Sequence, residues 1–339
     1  MGQCILHFRT LVCFDTVCWI FFIFSSGTNF MDAEFNGTYI TLGGFVDVDK
    51  YGYIYFVILL ILYIIILCTN CTIICLIWIH RNLHEPMYIF IAALSINSVL
   101  FSTVIYPKLF IDVLSKKQTI SHSACLFQYF LYNSVGVSDF LLLSAMAYDR
   151  YVSICKPLHY PTIMGKRTVT FLLTLAWFLP ALQLGVGVVI IPQQKICKFT
   201  SEGFWCNNTI HKLYCAKSNF FTIYVFFLMI TIVVLPVMFI LFTYMNIFKI
   251  TFHSSVEVKK KAIETCLPHL MILICLSCLG AFVAMTDQMQ TNLPKGVLLV
   301  ITFQIIVFTP LFNPITYGVK MREILMHIKR LFCRAKPFK

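Results

Sequence analysis

Few residues in this chain have chemistry within reach, and most of them sit inside long apolar runs. Asp149-Arg150-Tyr151 sets an acid beside a base near the end of one such run. A guanidinium there is costly in hydrocarbon unless it faces other helices or water, or snorkels to an interface. Asp139 lies eleven residues earlier, about three helical turns, and is the acid deepest within a run. A carboxylate at that depth is a functional candidate by default, and a neutral, hydrogen-bonded carboxyl is the plain alternative. Asn70, Ser98 and Asn313 are polar positions in other runs. The nine histidines are scattered, and no CxxC pair meets a second pair at zinc spacing, so no metal is expected. Gly185-x-Gly187 does not follow a strand and is no phosphate loop. No Ser/His/Asp or Cys/His set can be assembled, and no enzyme is expected.

The elements holding these residues follow from composition. The chain has 339 residues, 59% hydrophobic and 12% charged, with a mean hydropathy of +0.85. Soluble domains are about 25% charged, and a single water-soluble core stops growing near roughly 250–300 residues. Lipid is the expected solvent. A spanning helix needs about 20 apolar residues, and seven runs qualify: 53–79, 86–112, 122–155, 167–191, 218–248, 261–286 and 295–318. The expected fold is an all-α membrane protein, a seven-transmembrane-helix bundle over 53–318. Residues 319–339 form a basic cytoplasmic tail, with Val319, Ile324, Leu325, Ile328, Leu331 and Phe332 spaced as an amphipathic helix on the inner leaflet. Cys333 there is a candidate palmitoylation site.

The net charge of +12 would raise nucleic acid as a partner in a soluble chain. Here the basic residues lie between apolar runs, so membrane lipid is the expected partner and nucleic acid is not. Arg150, Lys156, Lys166, Arg167, Lys249, Lys259–Lys261 and the tail from Lys320 share the C-terminal side. That side is read as cytoplasmic and the N-terminus as outside, in a multi-pass plasma-membrane protein. Residues 31–52 are then extracellular, and the sequons at Asn36 and Asn207 are glycosylation candidates. Residues 1–30 read as a leader, or as an extension upstream of a start at Met31. Four cysteines fall outside, Cys125, Cys197, Cys206 and Cys215, and allow three pairings.

Met146 to Tyr160 reads MAYDRYVSICKPLHY. It resembles the odorant receptor signature MAYDRYVxICxPLHY, a branch of the rhodopsin-like G-protein-coupled receptors, with Ser153 where Ala is usual. Pro86-Met87-Tyr88, Pro107-Lys108, Lys261-Ala262, Thr265-Cys266, His269-Leu270, Pro310 and Asn313-Pro314-Ile315-Thr316-Tyr317 match further family marks in order. The similarity covers about residues 31–332, and Thr41-Leu42-Gly43-Gly44 looks like the fish-type branch.

The resemblance implies a receptor for a small, mostly apolar odorant, coupled to a stimulatory, cAMP-raising heterotrimeric G protein. It implies a switch in which Arg150 pairs with Asp149 at rest and meets Tyr244 and Tyr317 on activation. Pro236 and Pro314 would allow bends, with Asn70 the expected partner of Asn313. The acid that holds this arginine from the sixth span in many relatives is replaced by Lys259, with Glu264 the nearest acid. It implies a Cys125–Cys206 disulfide, leaving Cys197 to pair with Cys215. An internal site for a weak sodium ion or a proton would use Asp139, Ser98, Asn70 and Asn313, although Ser98 stands where the family carries a second acid.

The ligand pocket implied lies between spans three, five, six and seven. It would draw on Tyr132, Asn133, Gly136, Val137, Leu228, Ile232, Ser277, Gly280, Ala281, Ala284 and Phe303. Tyr132 replaces the Asp of amine receptors, and Val307 the retinal-bearing Lys of opsins. The alternatives are the same receptor class sensing a metabolite outside smell, and a transporter or channel, which would need a polar path and commonly repeated halves.

Overall fold

A computed structural model describes residues 39–45, 47–190, 195–215, 219–252, 255–288, 295–320 and 324–326. Among the described residues seven long helices follow one another: α1 (Val48–Ile79), α2 (Pro86–Leu114), α3 (His122–Cys155), α4 (Lys166–Ile190), α5, α6 (Val256–Gln288) and α7 (Lys295–Lys320). The fifth is three segments in line, Asn219–Leu228, a π-helical Met229–Val234 and Leu235–Phe252. Helices are the outcome expected in lipid, where every backbone group must be satisfied within its own segment. Among the described residues five are long and apolar enough to cross a membrane. The all-α, seven-helix expectation holds, with α1 and α6 each beginning several residues ahead of their apolar runs.

Burial sorts the helices into layers. The most apolar stretch of α2 is 78% buried, that of α5 only 17%. α2 and α3 are therefore central, while α4 and α5 present Phe171, Phe178, Phe226 and Phe242 outward. In water such surfaces would be a liability; in a bilayer they are the lipid contact.

Prolines shape the rods. Pro236 has no N–H for the carbonyl of Ile232, and the wide π turns of α5 fall directly ahead of it. In α7, Pro310 and Pro314 free the carbonyls of Ile306 and Pro310. Neighbouring helices supply the missing donors: Tyr106 Oη from α2 to Ile306 O at 3.4 Å, and Asn70 Nδ2 from α1 to Pro310 O at 2.9 Å.

One end carries a cap absent from the reading of the sequence. Strands β1 (Tyr39–Leu42), β2 (Thr119–Ser121) and β3 (Thr200–Ser201) form a small sheet in the order β2-β1-β3. β1 runs antiparallel to β2, with Ile40 opposite Ile120, and parallel to β3, with Leu42 opposite Ser201. Beyond β1, Gly43 and Gly44 donate backbone bonds to Ser201 O and Gly203 O. A Cβ on Gly44 would lie 2.9 Å from the Gly203 carbonyl carbon, so this close approach requires glycine. At the other end, Ile324 is buried in the same core as Met87 and Tyr317. Ile328, Leu331, Phe332 and Cys333, the rest of the expected tail helix, lie outside the described residues, as do residues 1–38 with Asn36.

Candidate functional site

The end of α3 holds a closed ion pair. Asp149 is fully buried; Arg150 Nε donates to its Oδ2 at 2.9 Å, and Nη2 reaches the same oxygen. The other carboxylate oxygen, Oδ1, accepts from Tyr160 Oη at 2.8 Å. Tyr160 begins a one-turn helix, Tyr160–Ile163, and follows a 3₁₀ turn over Pro157–His159, which together fold the chain back beneath α3. Burial, then the negative Asp149 beside it, pushes the Tyr160 phenol well above its usual range, so it stays a donor. The carboxylate is thereby satisfied on both oxygens, the condition for a buried charge.

Tyr151 is half-buried against the core. Tyr317 is buried and gives its hydroxyl to Met146 Sδ at 3.9 Å, its ring 5.6 Å from that of His269. Tyr244 Oη and both ring nitrogens of His269 are buried without a hydrogen-bond partner among the described residues. Arg150 is therefore bound to Asp149, while Tyr244 and Tyr317 are turned to other surroundings. Tyr244 also lines a cavity of about 350 Å³ between α5 and α6, with Cys266, Leu267 and Leu270. Lys259 lies over the Phe252 ring at 5.5 Å; the side chain of Glu264 lies outside those described.

Midway along the bundle the polar residues separate into two groups. Asp139, buried on α3, accepts from Asn97 Nδ2 at 2.9 Å. That amide also donates to Val135 O, and its oxygen accepts from Trp177 Nε1 of α4 at 3.0 Å. Asn97 thus joins α2, α3 and α4. Ser98 instead gives its hydroxyl to Leu94 O and accepts from Asn313 Nδ2 at 3.1 Å. Asn70 was expected to meet Asn313; its amide goes to Ile66 O and Pro310 O, because a proline-freed carbonyl in hydrocarbon needs a donor. Of the four residues expected around one internal ion, Ser98 and Asn313 are bonded to each other, while Asn70 takes the Pro310 carbonyl and Asp139 takes Asn97, not Ser98.

The expected ligand residues also divide. Tyr132 and Phe303 join an aromatic cluster with Phe101, Phe204 and Trp205. Gly136 lets the Phe101 ring approach, its would-be Cβ 3.3 Å from that ring. Val137, Leu228 and Ile232 pack in a second cluster with Leu184 and Phe130. Asn133 spends its amide on Tyr129 O of its own helix. Among the described residues, Ser277 Oγ is buried without a hydrogen-bond partner, and nothing lies within 4 Å of a would-be Cβ on Gly280. The side chains of Ala281 and Ala284 lie outside those described.

At the cap end, Cys125 is bonded to Cys206 and Cys197 to Cys215. Gln128 of α3 fixes the same point, accepting from Cys206 N and donating to Val104 O. His122 Nε2 lies 2.8 Å from Tyr214 Oη, and Tyr129 Oη 3.1 Å from His211 Nε2. Asn207 is half-buried, its side-chain oxygen accepting from Thr209 N and Oγ1.

Tyr160, Asn97, Trp177, Gln128 and Trp205 were missed. Tyr160 closes the MAYDRYVSICKPLHY segment and Asn97 adjoins Ser98, so both lay next to residues already singled out. Their partners are set by tertiary contacts that no local spacing announces.

This arrangement of seven helices has a solved counterpart. The crystal structure of squid rhodopsin superposes with a TM-score of 0.65 at 18% identity, over 86% of this chain and 89% of that one. The fold is that of a rhodopsin-type, multi-pass membrane protein. The olfactory receptor family model matches residues 59–335, and the chain belongs to the olfactory receptor family. Human "Olfactory receptor 10J4" is 33% identical over 282 residues, 80% of this chain and 87% of that one. Human "Olfactory receptor 10K2" is 32% identical over 302 residues, 83% and 90%. The family is one of receptors, not enzymes.

Proposed function

We propose that this chain is an odorant receptor of the plasma membrane, N-terminus outside. It binds a small, mostly apolar ligand beneath the capping loop and activates a stimulatory, cAMP-raising heterotrimeric G protein at the Arg150 end. The observation that carries the coupling role is the Arg150–Asp149 pair with Tyr160 behind it. A half-buried arginine held by a breakable pair to a buried acid, beside Tyr244 Oη and His269, which are buried without a hydrogen-bond partner among the described residues, is an element with two arrangements to choose between. Ligand acts by favouring the arrangement in which the pair is open. The Thr41–Gly44 segment supports placement in the fish-type branch. Asp139 is the position at which an internal sodium ion or a proton would be held, with Asn97 as its neighbour.

The test is cAMP in cells displaying the full chain at their surface, against an odorant panel, with Arg150→Ala as control. A ligand-dependent rise lost in the variant is expected; a displayed wild type that raises no second messenger for any ligand, with several G proteins supplied, refutes the coupling. A sodium titration of ligand-free activity in wild type and Asp139→Asn tests the internal ion, and no change in either removes it.

A further inference from the structure

Trp205 is among the largest fully buried side chains, yet its Nε1–H has no hydrogen-bond partner among the described residues. An indole nitrogen can only donate, and a buried donor left unpaired costs about 1–3 kcal/mol. Natural structures rarely leave such a group without a use.

Its placement is unusually fixed. Gly203, two residues earlier, is held against Gly44 beyond β1, and Cys206, the next residue, is bonded to Cys125 and to Gln128. The indole is therefore a rigid wedge driven from the loop into the bundle. It lies 5.7 Å from the Tyr132 ring, which in turn lies 5.4 Å from Phe101, with Phe303 in the same cluster. Tyr132 and Phe303 are two of the positions expected to meet ligand.

We propose that Trp205 Nε1–H is the hydrogen-bond donor of the ligand site, and that the ligand presents an uncharged carbonyl oxygen on an apolar body. Among the described residues the side chains clustered around Trp205 are apolar or aromatic and supply no countercharge, so an ionised carboxylate would be desolvated without compensation. A ketone, aldehyde or ester meets the donor and leaves its hydrocarbon part against Phe101, Tyr132 and Phe303. The proposal rests on the odorant-receptor reading above and adds the chemical class.

The experiment compares matched probes on the displayed full chain: aliphatic and aryl methyl ketones, each beside the hydrocarbon of the same skeleton, with amines and carboxylic acids as outgroups. In wild type the ketones are expected to act at concentrations about tenfold or more below their hydrocarbons, the worth of one buried hydrogen bond. Trp205→Phe, which keeps an aromatic ring and removes the donor, is expected to erase that difference and leave hydrocarbon responses within about threefold. Equal potency of ketone and hydrocarbon in wild type overturns the proposal, and so does a variant that weakens both alike, since Trp205 is then packing alone. Should Trp205→Phe fail to reach the surface, the wild-type pairs decide. A wild type that answers only amines or acids overturns this inference and leaves the receptor reading intact; silence toward every probe and every G protein refutes both.

Discussion

Tyr160 Oη donates to Asp149 Oδ1, the one carboxylate oxygen that Arg150 leaves free. The two contacts divide the carboxylate between them, so the arginine is held by a partner that is itself held. Tyr160→Phe removes one bond to a charged group, worth about 1.5–3 kcal/mol, from the closed arrangement. Ligand-free cAMP, normalised to surface protein, is expected to rise several-fold. An unchanged basal level would show that Tyr160 only anchors the loop.

Asn70 supplies a donor that Pro314 cannot. Its replacement by Leu leaves the Pro310 carbonyl bare in hydrocarbon, at a cost of about 1–3 kcal/mol. Thermal unfolding of the detergent-purified protein is expected to shift down by several degrees. Asn70→Asp, protonated, keeps a donor and should recover part of the loss.

The two disulfides serve different spans of chain, 81 residues for Cys125–Cys206 and 18 for Cys197–Cys215. Peptide mapping under non-reducing conditions is expected to recover these two pairs. Cys206→Ser should cost about 2–5 kcal/mol and abolish surface display. Cys215→Ser, which opens only the short loop, should leave a measurable displayed fraction.

Gly44 meets the Gly203 backbone where no side chain fits. Gly44→Val is expected to prevent β1 from seating beside β3 and to reduce display at least as severely as loss of the short disulfide. Valine at Gly185, whose would-be Cβ has only a ring edge at 3.9 Å, should be tolerated.

Much of this architecture is legible in the sequence, because lipid imposes simple demands. A run of about 20 apolar residues must be helical, so seven runs give seven helices. Arg150 in such a run must have a partner, and Asp149 beside it is that partner. What stays hidden is what depends on contacts between distant positions. Strands of two to four residues carry no period to read. Asn97, not Ser98, reaches Asp139, because Ser98 faces α7 and meets Asn313 there. Trp205 reads as one more aromatic residue in a loop until its neighbours on α3 and α7 are in place.

The order of strands in the cap, β2-β1-β3, has a consequence for how the protein is made. β1 leaves the ribosome first and becomes the central strand, yet its outer neighbour at Thr200–Ser201 emerges only after four membrane spans have been threaded. With the N-terminus outside, as proposed above, one edge of the first strand stands open in the lumen of the secretory compartment for that interval, and Cys125 waits for Cys206 over the same delay. The cap is thus a completion mark: it closes only on a chain whose first half has been inserted in the right direction. A cell inspecting open edges and free thiols can tell a finished receptor from an unfinished one before any ligand is present.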